Sequence, residues 1–331
     1  MQKKILLIDD ESSLRRTLSL GLTQRGFETE PCEDGMKGLK KLESFIKNDL
    51  PPAAIVIDIQ LPDINGTRLA KIIRFKYPGI PIILITGYAD KLNPQEIRDL
   101  KVNAFMEKPF SADELADQFE TIMKNGVEVK PDAAEQKHEA RSESAYMLVK
   151  TGKDSDLFDI YRGLYYLDNV VYCDATKGDY DIFLLMQDSS LESLESLCNT
   201  RIKTIQGVEG VEFLPIGNPL LDETTSDIIH FAEDAFASDG FEQQKDRNLG
   251  NRVCSYVLVE VEKEKIGTVY PLLRLNENMV YCDYTSGKFN MVLMIHASYF
   301  NEIDKIIQEK INTLDGVLRV KEYPIINLFE M

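Results

Sequence analysis

Five polar side chains in the first third of the chain stand at the ends of successive apolar, strand-like runs. They are Asp9, Asp10, Asp58, Thr86 and Lys108. The carboxyl ends of neighbouring parallel strands meet at one edge of an open sheet, so we expect these groups to converge in one crevice. Three carboxylates in one place repel each other and need a hard cation such as Mg²⁺, which prefers oxygen ligands. A lysine and a threonine beside them can hold the oxygens of a transferring phosphoryl group.

The elements that must position these groups alternate between strand and helix over residues 1–125. The predicted strands are Lys4–Ile8, Glu28–Pro31, Ala53–Ile59, Pro81–Thr86 and Ala104–Glu107. Apolar residues at helical spacing separate the strands, and Ser111 with Glu114 forms a capping box before the last helix. Short alternation of this kind is typical of a parallel sheet with helices on both faces. We therefore predict an α/β domain with a five-stranded, doubly wound sheet.

This combination of residues resembles the receiver domain of response regulators, which has the flavodoxin-like fold. The resembling segments are Ile8-Asp-Asp-Glu11, Asp58-Ile-Gln-Leu-Pro-Asp-Ile-Asn-Gly66, Thr86-Gly87 and Lys108-Pro109-Phe110. The resemblance implies that Asp58 is the phosphoacceptor and forms an aspartyl phosphate. It also implies that Asp10, Asp58 and the backbone carbonyl of Gln60 ligate Mg²⁺, while Asp9 assists through water. The expected phosphodonor is a sensor histidine kinase or a phosphotransfer protein.

The same resemblance assigns roles to the remaining residues of the crevice. Lys108 is expected to neutralise the phosphoryl charge, and the Lys108–Pro109 peptide bond is expected to be cis. Thr86 and Phe105 match the two switch positions, where the hydroxyl moves to the phosphate and the ring turns inward. For Phe105 a plain core aromatic is the alternative. The resemblance implies a signalling protein and not an enzyme, with activity limited to phosphorylation by small donors and slow self-dephosphorylation.

The rest of the chain contains an internal repeat. Ala145-Tyr-Met-Leu-Val149 matches Ser255-Tyr-Val-Leu-Val259, and Val171–Gly178 matches Val280–Gly287. Each copy reads strand, helix, strand, strand, helix, strand, which is the order of a ferredoxin-like α+β sandwich. The predicted organisation is a first domain at 1–125, a linker at 126–144, repeats at 145–218 and 253–331, and an acidic linker at 219–252.

The two copies resemble the effector-binding module of the leucine-responsive and asparagine regulator family. The resembling segments of copy one are Ala145–Val149, the turn Gly178-Asp179-Tyr180-Asp181 with Ile182–Met186 after it, and Ile205-Gln-Gly-Val208. The resemblance implies that the turn contributes to a pocket for a small effector such as an amino acid. A structural hairpin turn is the alternative. That family normally carries a helix-turn-helix ahead of one module, and here a receiver-like domain stands in its place.

Two central strands of the repeats are apolar at every position. In Ile182–Met186 and Met291–Ile295 both faces are predicted to be covered, one by helices and one by another sheet. The two repeats could pair sheet to sheet within one chain, or linker or another subunit could cover the outer face. Between the repeats, five apolar residues fit one face of a short docking helix. They are Ile228, Ile229, Phe231, Ala235 and Phe236.

Composition narrows the classes of partner. The 331 residues include 38 basic and 55 acidic side chains, a net charge of −17 that repels phosphate backbones and anionic membranes. Apolar runs are too short to span a bilayer, and five cysteines without a CxxC motif indicate reduced thiols in a cytoplasm. We expect no nucleic acid or membrane partner, and a homo-oligomer formed through the receiver or the repeats.

Three classes of output remain open from the sequence. The first is a tandem protein-interaction or effector-binding module controlled by the receiver. The second is a phosphorylation-controlled transcription regulator that contacts DNA through an unrecognised surface. The third is an enzymatic output, although neither repeat offers a Cys-His, Ser-His or metal constellation.

Overall fold

The structure is a computed structural model that describes residues 3–87, 100, 102–125, 143–238, 253–326 and 328. Its residues group into two compact units. Within the described ranges, the first unit holds residues 3–125, 222–238 and Leu275–Glu277, and the second holds the remainder from 143 onward. Among these residues, no helix is both long enough and apolar enough to cross a membrane.

A five-stranded parallel sheet forms the centre of the first unit. Its strands are β1 Lys3–Ile8, β2 Phe27–Cys32, β3 Ala54–Asp58, β4 Ile82–Thr86 and β5 Ala104–Glu107. They lie in the order β2-β1-β3-β4-β5. The chain passes from β1 to β2 on one side, crosses back to β3 on the other side of β1, and continues outward through β4 to β5. The predicted doubly wound sheet is confirmed, with strand ends within one residue of the prediction.

Helices cover both faces of this sheet. Those within residues 3–125 are α1 Ser12–Gln24, α2 Gly35–Lys47, α3 Gly66–Lys76 and α4 Ala112–Asn125. The capping box that starts α4 is confirmed, because Glu114 Oε2 accepts the Ser111 amide at 2.7 Å and Ser111 Oγ accepts the Glu114 amide at 3.2 Å. The segment 88–99, between β4 and β5, lies outside the described residues.

The second unit contains both repeats, each in the predicted βαββαβ order. Repeat 1 comprises β6 Glu143–Thr151, α5 Leu157–Tyr165, β7 Val170–Thr176, β8 Ile182–Asp188, α6 Leu191–Leu197 and β9 Val208–Gly217. A later helix, α7 Glu223–Ser238, is grouped with the first unit. Repeat 2 comprises β10 Val253–Val261, α8 Ile266–Arg274, β11 Met279–Thr285, β12 Met291–Ala297, α9 Phe300–Ile306 and β13 Val317–Ile326.

The two repeats pair within one chain. Each contributes a four-stranded antiparallel sheet, and short pairings of β9 with β11 and of β13 with β7 join the sheets into a closed eight-stranded barrel. The apolar strands are explained by this closure. In β8, Ile182 and Leu184 pack with the helices of repeat 1, while Phe183 packs into the core between the two sheets.

The segment between the repeats is more than a linker. The expected docking helix is present as α7, and Ile228 and Ala232 are buried in the same apolar cluster as residues of α2 and α3. Part of the predicted 219–252 linker therefore belongs to the core of the first unit, because its apolar face is buried against receiver helices. The rest of that linker, 239–252, and residues 126–142 lie outside the described residues, so the linkers there stay predictions.

Candidate functional site

The sheet brings the predicted crevice residues to one edge. Asp9 directly follows β1, Asp58 is the last residue of β3, Thr86 ends β4 and Lys108 follows β5. These four strands are neighbours in the order β1-β3-β4-β5, so their carboxyl ends adjoin. Thr86 is buried, and its carbonyl accepts the Lys108 amide at 2.7 Å.

Lys108 joins the carboxylates of the crevice. Its Nζ donates to Asp58 Oδ2 at 2.7 Å and to Asp9 Oδ2 at 2.8 Å, and lies 3.6 Å from Glu11 Oε1. The peptide bond between Lys108 and Pro109 is cis, as the resemblance implies. Because its ammonium group lies between two buried carboxylates, Lys108 can stabilise negative charge that develops on either one.

Three carboxylates in the crevice could hold a cation. Oxygens of Asp9, Asp10 and Asp58 all lie within 4.8 Å of one another, with Asp9 and Asp58 buried and Asp10 exposed. Lys108 pairs with Asp9 and Asp58 of these three, so carboxylates outnumber lysines in this described part of the site and negative charge is in surplus. All three offer hard oxygen ligands, and one faces solvent where water ligands can complete the shell. These residues fit Mg²⁺.

Burial and neighbouring charges shift the pKa values of Asp58 and Lys108 in opposite directions. Burial raises the pKa of Asp58 above its ordinary value, although the hydrogen bond and charge of Lys108 oppose the shift. Burial on its own would lower the pKa of Lys108, but the hydrogen bonds to Asp58 and Asp9 outweigh it and the pKa is raised. Lys108 therefore stays charged, and a second positive charge near Asp58 would favour its ionised form.

The loop after Asp58 is tied to two helices. Asp63 accepts the amides of Gly35 at 2.8 Å and Met36 at 2.7 Å, at the start of α2. Gly66 starts α3 against the Asp58 carbonyl oxygen, which a Cβ at this position would approach to 2.1 Å. Sequence reasoning missed the role of Asp63, since nothing local to the loop indicates that it reaches α2.

Two further predicted residues lie near the crevice. The Gln60 amide donates to Asp58 Oδ1 at 3.2 Å, which places Gln60 in the loop beside the phosphoacceptor candidate. Phe105 lies in β5, half-buried, and packs against the apolar cluster of α2 and α3. Metal ligation by the Gln60 carbonyl and the switch roles of Thr86 and Phe105 stay predictions.

The predicted effector turn is held by internal contacts. Asp181 Oδ2 accepts the Thr151 amide at 2.7 Å and the Thr151 hydroxyl at 3.0 Å, while Asp179 pairs with Lys321 at 2.5 Å. The Tyr180 hydroxyl donates to Glu212. In repeat 2 the equivalent Asn290 accepts the Val261 amide with Oδ1 at 2.9 Å and donates from Nδ2 to the Val261 carbonyl at 2.7 Å. In repeat 1 these contacts join the turn to β6, β9 and β13 and support a structural role, and an effector role for the turn stays a prediction.

A cavity of about 720 Å³ opens elsewhere in repeat 1. Its lining comprises Gly152–Asp156, Asp159, Ile160 and Ile205–Glu209. The lining includes the segment Ile205–Val208, which carries part of the resemblance, but none of the turn residues 178–181. Small-molecule sites are typically concave with a few placed polar groups, so this cavity is a second place in repeat 1 where an effector could sit.

The fold and the acidic crevice define a receiver domain joined to a paired ferredoxin-like module. Family models agree with both parts. The response regulator receiver domain matches residues 5–120, and the Lrp/AsnC ligand binding domain matches residues 144–224 and 254–329. The chain therefore contains a response regulator receiver domain of two-component signalling, followed by an Lrp/AsnC ligand binding domain present as two repeats.

Curated relatives resemble the receiver part. The alkaline phosphatase synthesis transcriptional regulatory protein PhoP of Bacillus subtilis (strain 168) is 30% identical over 139 residues, 42% of this chain and 55% of its own. The transcriptional regulatory protein CusR of Escherichia coli (strain K12) is 30% identical over 126 residues, 38% and 53% of the two chains. This chain thus spans about half the length of these relatives. A receiver domain protein structure from Clostridium thermocellum is 24% identical, with a TM-score of 0.34, covering 37% of this chain and 95% of its own.

Proposed function

We propose that this protein is a response regulator in which Asp58 accepts a phosphoryl group from a histidine kinase or a phosphotransfer protein, with Mg²⁺ bound. Its output passes through the paired repeats and not through DNA. The observation that carries the proposal is the contact of Lys108 Nζ with both Asp58 and Asp9 at the acidic edge of the sheet. A lone buried ion pair would be structural, whereas one lysine among three carboxylates leaves a site for a further cation.

The phosphoryl transfer would use the carboxylates of the crevice together with Lys108 and Thr86. A carboxylate oxygen of Asp58 attacks phosphorus, a new P–O bond forms, and the bond from phosphorus to the donor atom breaks with its electron pair left on the donor. Lys108 then neutralises charge on the phosphoryl oxygens, and the Thr86 hydroxyl is the candidate to bind one of them. Asp9, Asp10, Asp58 and the Gln60 carbonyl would hold Mg²⁺, which supplies further neutralisation of that charge.

A small phosphodonor tests the assignment. Acetyl phosphate with Mg²⁺ should add one phosphoryl group to the full chain, measured by intact mass, and Asp58→Asn should abolish the addition. Asp49→Asn is the matched control, because Asp49 is exposed at the end of α2 and the same chemical change there should leave labelling intact. Stoichiometric labelling of Asp58→Asn under the same conditions would refute the assignment.

The absence of DNA output is a separate proposal, supported by the net charge of −17. The curated relatives are named transcriptional regulators, but the regions matched to them amount to about 40% of this chain. A filter-binding assay with random and genomic DNA at several salt concentrations distinguishes the two outputs. We expect no binding with or without phosphorylation. Salt-dependent, phosphorylation-dependent binding would instead support a transcription regulator.

We further propose that the repeats act by binding a protein partner or a small effector such as an amino acid, without catalysis of their own. The matching family is named for ligand binding, and the cavity lined by Gly152–Asp156 gives a place for it. None of the five cysteines, all of which lie in the described part of the chain, forms a disulfide, which supports action in the cytoplasm. Calorimetric titration of the twenty amino acids tests the effector. Gly152→Leu adds a side chain to the cavity lining beside the flexible Glu209 side chain and should abolish any heat that is seen.

A further inference from the structure

Helix α7 lies between the two repeats in sequence, yet it is part of the core of the first unit. Ile228 is 2% exposed and Ala232 is fully buried, and both belong to the apolar cluster that contains Leu39 of α2 and Ile72 of α3. Phe236 packs against the same cluster. Residues 228, 232 and 236 fall on one face of a helix, so α7 presents a continuous apolar stripe to the receiver helices.

Two basic side chains of the receiver part contact aromatic rings of α7 beside this stripe. Lys76 Nζ lies 3.5 Å from the centre of the Phe231 ring and also donates to the buried carboxylate of Glu43 at 2.9 Å. The Arg68 guanidinium lies 4.2 Å from the centre of the Phe236 ring. Cation–π contacts of this kind add specificity to the apolar burial, because they require aromatic rings at fixed positions of the bound helix.

The start of α7 is fixed in the same way. Asp222 caps the helix by accepting the Thr225 amide at 2.9 Å and the Thr225 hydroxyl at 2.6 Å. The same carboxylate lies 3.6 Å from Lys40 Nζ of α2. The contacts of α7 with α2 and α3 thus run from its cap to Phe236, near its carboxyl end.

The two helices that bind α7 are the two that the phosphoacceptor loop holds. Asp63 bonds the first amides of α2, and Gly66 begins α3 directly against the Asp58 carbonyl. Packed elements therefore run without a break from Asp58 through the loop 58–66 to α2, α3 and then α7. Contiguous packing of this kind can couple two sites when both bias the same arrangement.

We propose that α7 is an intramolecular ligand of the receiver that stabilises its unphosphorylated arrangement, and that phosphorylation of Asp58 weakens the binding of α7 to α2 and α3. The proposal rests on the phosphoacceptor role of Asp58. The packing of α7 on α2 and α3 is observed together with the contacts of Lys108 Nζ to Asp58 and Asp9. A phosphoryl group on Asp58 would compete with both carboxylates for Lys108, and its oxygens would have to fit beside the loop 58–66 that holds α2 and α3. A ligand stabilises the state in which its contacts form, and the coupling is reciprocal.

The reciprocal effect is measurable at Asp58. Beryllofluoride with Mg²⁺ is the probe, and its affinity for the full chain is compared among the wild type, Phe231→Ala and Ile228→Ala. Ser226→Ala is the matched control, because Ser226 lies on α7 and is exposed. Both apolar variants should bind beryllofluoride about fivefold more tightly or better, and the control should match the wild type. Hydrogen exchange of amides 228–236 should speed up in the variants, and in the wild type when beryllofluoride binds.

Each outcome has a separate meaning. If the wild type takes up neither beryllofluoride nor phosphoryl groups, the proposed function of Asp58 fails. If the wild type binds beryllofluoride and the variants bind it equally or more weakly while α7 exchanges faster, the inference about α7 is overturned and the function stands. Where alanine leaves α7 protected, Ile228→Asp places a charge in the apolar cluster and releases the helix, and the same comparison then decides.

Discussion

Both units contain carboxylates that are buried or partly buried, but the carboxylates have different kinds of partner in the two units. In the first unit Asp9 and Asp58, with Asp10 beside them, share Lys108. In the second unit two partly buried aspartates, Asp174 and Asp283, each accept a hydrogen bond from a tyrosine of the other repeat. The Tyr256 hydroxyl donates to Asp174 at 2.7 Å, and the Tyr146 hydroxyl donates to Asp283 at 2.6 Å.

The barrel pairs follow the internal symmetry of the chain. Tyr146 and Asp174 of repeat 1 occupy the same repeat positions as Tyr256 and Asp283 of repeat 2, so the two hydrogen bonds are exchanged between the sheets. The hydroxyls of Tyr172 and Tyr281, another equivalent pair, lie 2.5 Å apart. Equivalent residues can touch one another only beside a local two-fold axis, so these bonds join the two repeats about that axis.

The difference teaches how to distinguish a functional carboxylate from a structural one. Each barrel aspartate accepts one hydroxyl from the other repeat, which fixes how the sheets face each other. The crevice carboxylates outnumber the lysine that contacts them, so negative charge remains that can bind a further cation. Among these aspartates, surplus negative charge is found at the candidate site, and matched donors are found at the pairs between the repeats.

The largest expected effect comes from removing Lys108. Lys108→Met leaves Asp9 and Asp58 without their cation, which should lower the free energy of unfolding of the first unit by about 3 kcal/mol in the absence of divalent cations. Labelling of Asp58 should fall about 100-fold. Urea unfolding with EDTA and with Mg²⁺ checks this, and Mg²⁺ should restore part of the stability. Unchanged stability in EDTA would show that the crevice has no surplus charge.

Removing a hydroxyl from the barrel should have a smaller effect that Mg²⁺ does not alter. Tyr256→Phe leaves Asp174 without its donor and should lower the free energy of unfolding by about 2 kcal/mol. Tyr146→Phe should do the same, because its bond to Asp283 is the equivalent one. Tyr165→Phe, at an exposed ring, is the control and should stay within about 0.5 kcal/mol. Unequal effects of the two barrel variants would break the symmetry argument.

Neutralising a crevice carboxylate should act in the opposite direction. Burial raises the pKa of Asp58, which means that its ionised form is disfavoured in the folded state. Without divalent cations, Asp58→Asn removes this charge, and the free energy of unfolding of the first unit should rise by about 1 kcal/mol. With Mg²⁺ the wild type should regain the difference, because the variant has lost a ligand. Thermal unfolding under both conditions tests this. A destabilised variant in EDTA would mean that the ion pair with Lys108 outweighs the repulsion among the carboxylates.

The smallest effect is a pH dependence of the barrel. Burial raises the pKa of Asp174 above its ordinary value of 3.8, although the Tyr256 hydrogen bond opposes the shift. The folded state therefore holds this proton more tightly than the unfolded state, and stability from this group is lost as pH rises from 3.8 through the raised pKa. Asp174→Asn should flatten the profile of unfolding free energy over that window. A profile unchanged by the substitution would show that Asp174 does not titrate differently on folding.

The crevice could be predicted because its signals are local. Apolar runs locate the strands, and parallel sheet geometry places Asp9, Asp58, Thr86 and Lys108 together. The cross-barrel bonds could not be predicted in this way, since Tyr146 and Asp283 are 137 positions apart. The sequence does contain a signal, because both repeats carry tyrosine and aspartate at these positions. Which aspartate each tyrosine bonds is known only once the barrel is closed.

Helix α7 shows a second limit. Its apolar spacing predicts a docking helix, but spacing does not identify the surface that the helix binds. That surface is defined by Lys76 and Arg68, whose contacts with Phe231 and Phe236 join distant parts of the chain. Asp63 is similar, because a carboxylate in a loop gives no indication of the helix start that it caps.

The central claim is that Asp58 itself carries the phosphoryl group, and chemical trapping tests it most directly. Borohydride reduces an acyl phosphate of aspartate to homoserine, which marks the modified residue permanently. After treatment with acetyl phosphate and Mg²⁺, tandem mass spectrometry should find homoserine at position 58, and Asp49→Asn should give the same result. Homoserine at Asp9 or Asp10 instead, or a phosphorylated chain with aspartate intact at position 58, would contradict the account.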